Sequence, residues 1–200
     1  ALQEVADRQT ILQSQRRLVA AHASADRVES RRLALVELSD RIRDVDDLGE
    51  ISYAAAETLA RQLGVDRAGY GVVDKERETI TIERDWNAPG VTTLAGVLHF
   101  RDYGSYIEDL KQGPTVAFAD AREDPRTRDS SAALEAINAR AVLNMPLTEK
   151  HGLVGLLYLN HGDVRPWTDD ELDFVRDVGD RVRSVVSRRE AQIALQALAA

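Results

Sequence analysis

Cysteine is absent from the chain. That removes disulfides, thiolate nucleophiles, zinc–cysteine sites and any thioether-linked cofactor. Long apolar runs are missing too. No stretch approaches the roughly 20 residues that a membrane-crossing helix needs, and no signal-peptide pattern opens the chain. Positive charge is in deficit: 34 Asp and Glu face 26 Lys and Arg, a net charge of −8, with both signs mixed throughout. No basic patch with interleaved aromatics appears, so nucleic acid is not expected as a partner. The four histidines, His22, His99, His151 and His161, include no pair at metal-ligand spacing. Ser130 and Ser131 lack a nearby base or nucleophile elbow. "GVVDKERE" lacks the glycine pattern of a phosphate loop. No catalytic set and no metal site are expected. A cytoplasmic location, away from any membrane, fits this composition.

What is present is a chain of 200 residues, 44% hydrophobic and 30% charged, enough for one globular domain plus extra helices. Residues 1–45 hold neither Pro nor Gly and read as helix, in one piece or two. Val5, Leu12 and Val19 repeat every seven residues. Val28, Leu35 and Ile42 do so again, with Leu38 and Val45 in the companion position. The two series are out of phase across Ala20–Arg27, which predicts a coiled-coil-like segment with a stutter or a break. Such a helix is marginal alone and needs a partner.

Residues 46–167 read as the core of an α+β domain. "DDLGEISYAAAETLARQLGV" is amphipathic, with Gly64 placed to end it. "RAGYGVVD" and "ETITIERDW" read as a strand and its hairpin partner. "GVLHF" is a third strand, "YGSYIEDLKQG" a short helix, "PTVAFAD" a fourth strand, and a capped helix follows Asp129 or Ser130. "AVLNMPLTEKHGLVGLLYLN" is a long hairpin. Antiparallel strands with helices before, between and after them imply a sandwich.

Residues 168–200 read as a terminal helix, and "RPWTDDELDFVRDVGDRVRSVV" carries its start signal. Thr168 at the N-cap and Glu171 three residues on form a capping box, and Trp167 can staple onto Leu172. Asp169, Asp170 and Glu171 suit the positive end of the helix dipole. Leu172, Val175, Val178, Val182, Val185 and Val186 then make one helical stripe.

These pieces resemble GAF domains. The resemblance rests on the helices feeding "DRAGYGVVD", on the hairpin "LNMPLTEKHGLVGLLYLNHG", and on the helix beginning "WTDDELDFVRDVGDRVRSVV". It covers about Arg31 to Arg189, and its last part most resembles GAF domains of bacterial sensor histidine kinases of the HWE type. The resemblance implies a six-stranded antiparallel sheet with helices on both faces. It implies binding of a small ligand or chromophore, or dimerisation, and terminal helices that pack beside a symmetry mate and lead to an output module. The missing cysteine excludes a covalently attached bilin and the reduction of free methionine sulfoxide. The Asp-Ile-Pro signature of phytochromes and the Asn-Lys-Phe-Asp-Glu signature of cyclic-nucleotide binders are absent as well. The ligand is therefore unassigned, or there is none.

On this reading the chain is a non-enzymatic sensory piece of a larger kinase. The alternatives are a ligand-free dimerisation scaffold and a noncovalent chromophore or small-molecule sensor. Tyr70, Trp86, His99, Phe100, Tyr103, Tyr106, Phe118, Met145 and Leu157 are the candidate pocket wall, centred on His99, Tyr103 and Tyr106. Each alone is better explained as core packing. Val28, Leu35, Leu38, Ile42, Val175, Val178, Val182 and Val185 are the candidate dimer-helix residues, forming a homodimer interface about a two-fold axis. The charged loop around Asp124, Arg126 and Arg128 could cap an anion but reads better as solvated surface. Breaking the cap by Thr168→Ala is expected to cost about 1 kcal/mol of stability, measured by urea denaturation.

Overall fold

With no Gly or Pro to interrupt it, the first segment runs as one helix, α1 (Leu2–Ile42), straight through Ala20–Arg27. The computed structural model describes residues 2–150 and 152–198, without the side chains of residues 2–7, 10, 189–190, 193–194 and 196–198. Among the described side chains of α1, those that pack into the core are in its last part: Leu35, Leu38 and Ile42 are buried. Ile11, Leu12, Leu18, Val19, Val28, Leu33 and Val36 are exposed. The side chain of Val5 lies outside the described residues.

The second helix, α2 (Leu48–Leu63), has both ends fixed by local chemistry. Asp47 accepts a hydrogen bond from the Glu50 amide at 2.8 Å. Gly64 takes the left-handed conformation (φ 63°) that terminates helices, and its N–H donates to the Ala60 carbonyl. The apolar stripe of α2 is buried, with Ile51, Ala55 and Leu59 nearly inaccessible.

Seven antiparallel strands follow: β1 (Arg67–Asp74), β2 (Thr79–Ile82), β3 (Asp85–Asn87), β4 (Gly96–His99), β5 (Val116–Phe118), β6 (Ala141–Glu149) and β7 (Gly152–His161). Their order is β4-β2-β1-β7-β6-β5, and β3 also pairs with β1. The six strand positions implied by the resemblance thus become seven strands. The segment expected as one hairpin partner breaks at Glu83 and Arg84. Its halves pair with the two ends of the same edge of β1: Thr79–Thr81 with Val72–Asp74, and Asp85–Asn87 with Arg67–Gly69.

Period-two alternation divides the sheet into two apolar faces. One face carries Ala68, Tyr70, Leu143, Met145, Leu147, Leu157 and Leu159, and the helices cover it. The other carries Val73, Ile80, Ile82, Val142, Leu156 and Tyr158. It is covered by a 3-10 turn (Phe100–Tyr103) and two short helices, α3 (Ile107–Gln112) and α4 (Ser131–Ala136).

The last helix, α5 (Asp169–Leu198), starts where the capping box requires. The Glu171 amide donates to Thr168 Oγ1 at 3.3 Å, and the Thr168 amide donates to the Glu171 carboxylate at 3.1 Å. The Trp167 indole N–H donates to the Phe118 carbonyl at 3.1 Å, which ties the cap to β5. Arg165 lies over the Trp167 ring and pairs with Glu171 at 2.6 Å. Further along, Gly179 allows α5 to come close: a Cβ there would sit 3.2 Å from Leu147 and Leu157.

The structure corrects the assignment of the apolar stripes. Val175, Val178 and Val182 are fully buried and Val185 nearly so, in one core with Leu35, Leu38, Ile42 and α2. Seven of the eight candidate dimer-helix residues therefore have their partners within the chain. Val28, 61% exposed, is the exception. Heptad spacing shows that a helix needs an apolar partner, and it is silent on whose. Leu38→Ala is expected to cost about 2–5 kcal/mol by cavity formation. Val164→Ala, at an exposed position outside both long helices, is expected to stay within about 0.5 kcal/mol. Urea denaturation of the two variants checks this; equal losses would contradict the packing described.

Candidate functional site

The sheet face away from the long helices holds a small cavity of about 40 Å³. Its floor comes from alternate strand residues: Ile80 and Ile82 of β2, Val142 and Asn144 of β6, and Leu156, Tyr158 and Asn160 of β7. Leu98 of β4, paired with Ile80, extends that floor, and the roof comes from Leu94, Phe100, Tyr103 and Tyr106 on one side and Leu134, Ile137 and Ala139 on the other. The walls are mostly aliphatic, and the polar groups are amides and phenols. A cavity of this size admits water. It is well below the roughly 150 Å³ apolar cavity known to take benzene, so a larger guest must move the roof.

A buried polar cluster joins floor to roof, and the strand register explains it. Arg67 of β1 lies directly between Asn87 of β3 and Asn160 of β7, and two residues on Gly69 lies between Asp85 and Tyr158. A side chain at position 69 would collide with the Tyr158 ring, since a Cβ would lie 2.3 Å from it. Glycine there lets Tyr158 cross β1, and its hydroxyl donates to Asp85 at 3.3 Å. Asp85 also accepts from the Leu94 amide and the Asn87 side-chain amide, both at 2.8 Å, and from Thr93.

Arg67 and Asp85 lie 3.8 Å apart, and each side chain is 1% exposed. The guanidinium donates to Asn87 Oδ1 at 2.9 Å and to the carbonyls of Thr92 and Ile137. Those carbonyls belong to the two sides of the roof, so Arg67 works as a tie. Burial pushes the Arg67 pKa down against the pull of Tyr158 and Asp85. Burial likewise pushes Tyr158 well above its ordinary value, with Asp85 adding to the shift. Tyr106 is fully enclosed, raised for the same reason, and hydrogen-bonded to Asn144. These phenols stay protonated.

Ion pairs on the outside hold the roof as well. Arg101 of the 3-10 turn and Lys111 of α3 both grip Glu78, in the turn between β1 and β2. Arg126 pairs with Asp124 at 2.7 Å and Asp109 at 2.8 Å. The charged loop thus neutralises itself through Arg126, while Arg128 stays exposed.

The candidate wall residues divide between the two faces. Phe100, Tyr103 and Tyr106 line the cavity, and Phe118 packs behind Tyr106 with ring centroids 6.3 Å apart. Tyr70, Met145 and Leu157 lie on the opposite face under α2 and α5, and Trp86 packs against that same core. His99 ends β4 and is exposed. Residue type alone gathers these nine; strand parity separates them. Arg67, Asp85, Asn144, Tyr158 and Asn160 are not among the residues that the sequence points to. The available signal is polarity out of place: a lone Asn in "AVLNMPL" and in "LLYLN", and an Arg and an Asp inside strands.

Arg67→Met would leave Asp85 buried without its cation and is expected to cost about 3–5 kcal/mol. Adding Asp85→Asn should recover part of that loss; urea denaturation of both variants reads it. Glu78 supplies a pH dependence. Hydrogen bonds from Arg101 and Lys111 hold its carboxyl down from 4.5 to about 2. A lowered native pKa gives stability that is fully present above pH 4.5 and is lost as pH falls toward 2. The stability difference between the parent chain and Glu78→Gln should therefore shrink across that window, as thermal unfolding against pH would show.

Comparison with known proteins places this geometry. A search of curated protein sequences gave no match. Solved structures with the same fold are numerous but distant in sequence. The phycoerythrobilin-bound GAF domain from a cyanobacterial phytochrome is 16% identical, with a TM-score of 0.70 over 81% of this chain and 97% of that one. Residues 122 to 287 of a methyl-accepting chemotaxis protein are 19% identical, with a TM-score of 0.64 over 78% and 98%. The GAF domain from Acinetobacter phosphoenolpyruvate-protein phosphotransferase is 12% identical, with a TM-score of 0.63 over 80% and 95%. The profile of the GAF domain matches residues 47–186, from the N-cap of α2 into α5. The chain therefore belongs to the GAF domain family.

Proposed function

We propose that this chain is the sensory module of a signal-transduction protein, a cytoplasmic histidine kinase of the HWE type, and is not itself an enzyme. One observation carries the reading: a single pair of strands serves both the cavity and the terminal helices. In β7, Leu156 and Tyr158 face the cavity, while Leu157 and Leu159 lie in the core shared with α1 and α5. A guest that shifts the floor acts on the packing under α5, biasing two arrangements of the helices. The relatives support this role, since their names include a phytochrome and a chemotaxis protein.

The module works as a homodimer. Its contact is the outward side of α1, where Leu12, Leu18, Val19, Leu33 and Val36 stand exposed, with α5 leading toward the output module. Neither nucleic acid nor a membrane is a partner; among the described residues no helix is long and apolar enough to cross a membrane. The small size of the cavity favours a second reading, a GAF scaffold that binds nothing and serves dimerisation alone. A noncovalent chromophore would require the roof to open.

Native mass spectrometry with an absorbance spectrum of the same sample tests the proposal. A dimer with extra mass that leaves on denaturation is the expected result. A colourless dimer of bare chain mass would favour the scaffold, and a bare monomer would overturn the helix contact.

A further inference from the structure

We infer that the cavity on the outer sheet face selects an uncharged, mostly apolar small molecule bearing one hydroxyl or N–H group. This rests on the reading of that cavity as a ligand site. Three observations lead to it.

The first is the electrostatics of the lining. Every polar side chain that lines the cavity, Tyr103, Tyr106, Asn144, Tyr158 and Asn160, is neutral. The adjacent charges, Arg67 and Asp85, offset one another, and the guanidinium is already engaged with Asn87, Thr92 and Ile137. A carboxylate, phosphate or ammonium placed here would be buried without a counter-charge, which is strongly unfavourable.

The second is the apolar wall. Ile80, Leu98, Leu134, Val142 and Leu156 surround the space and offer contact from both sides. Apolar walls with few polar groups are what small-molecule sites use.

The third is where hydrogen bonding remains open. Tyr158 donates its hydroxyl hydrogen bond to Asp85, so its oxygen lone pairs remain able to accept. Tyr106 is already engaged with Asn144. The Tyr103 hydroxyl, on the half-buried 3-10 turn, has no hydrogen-bond partner among the described residues and is free to donate. A ligand hydroxyl can donate to Tyr158 and accept from Tyr103 together. Admitting such a molecule would displace Tyr103 and the roof segment that Arg101 and Lys111 hold to Glu78.

The experiment uses the full chain, isotopically labelled, titrated with phenol, benzoate, benzylammonium and toluene. Two-dimensional NMR follows the signals of Tyr103, Asn144, Leu156 and Tyr158. Phenol should shift them saturably, and benzoate and benzylammonium should bind at least about tenfold more weakly. Tyr103→Phe should weaken phenol by about 3- to 10-fold and leave toluene unchanged. Benzoate or benzylammonium binding as tightly as phenol through the same signals would overturn the ligand class while leaving the cavity a ligand site. Phenol affinity untouched by Tyr103→Phe would overturn the hydrogen-bonding pattern. If no probe shifts any of these signals, the inference fails together with the reading of the cavity as a sensory site.

Discussion

The alternation of side chains along β6 and β7 is the constraint on which the rest of this fold depends. Leu143 and Met145 go under α2 and α5, and Val142 and Asn144 go under the roof; β7 repeats the division with Leu157 and Leu159 against Leu156 and Tyr158. A slip of one residue would send every one of these side chains to the wrong face. Both faces are covered, so both strands read as nearly continuous apolar runs, and their register must come from the shape of their neighbours. Some of that shape is glycine. Gly155 leaves room for the Tyr70 ring on the helix face, and Gly69 leaves room for the Tyr158 ring on the cavity face. The register irregularity at Leu147 and Thr148 ends the strict alternation near the hairpin turn.

The two faces are built on different physics. The helix face is a plain apolar core, where valines of α5 meet leucines of α1 and alanines of α2. The cavity face is weaker in area and relies on polar ties. Short segments cover it, and short segments bury little surface of their own. The Arg67–Asp85 cluster therefore pins Thr92, Leu94 and Ile137 from inside, and the Glu78 and Arg126 ion pairs pin the 3-10 turn and α3 from outside. Surface pairs of this kind contribute little each. The buried cluster matters more through the cost of leaving any member unpaired.

Elements with complete local chemistry are legible in the amino-acid sequence. Asp47 and Gly64 bracket α2, and the Thr168–Glu171 box starts α5, because caps act over three or four residues and leave a local trace. The segment Thr79–Asn87 misleads for the opposite reason. Its residue types suit one strand, and the division at Glu83 and Arg84 follows from pairing with two ends of β1, a contact set by distant residues. The cavity is half legible. Apolar and aromatic character gathers Phe100, Tyr103 and Tyr106, which line the cavity, and gives no reason to part them from Tyr70, Trp86, Met145 and Leu157, which sit behind the sheet.

By itself, then, the sequence determined the helices, their caps, the strand-rich centre and the absence of thiol chemistry, because each of these follows from interactions within a few residues. Tertiary structure alone decided which apolar stripe meets which. Leu38 and Val178 could equally have met a second chain, and the folded chain closes them into one core. It alone decided the polar cluster as well. Arg67, Asp85 and Tyr158 are far apart in sequence, and only cross-strand pairing over Gly69 brings a guanidinium, a carboxylate and a phenol within reach. Hydrophobicity shows that a side chain will be buried, and only the packed sheet assigns it a face.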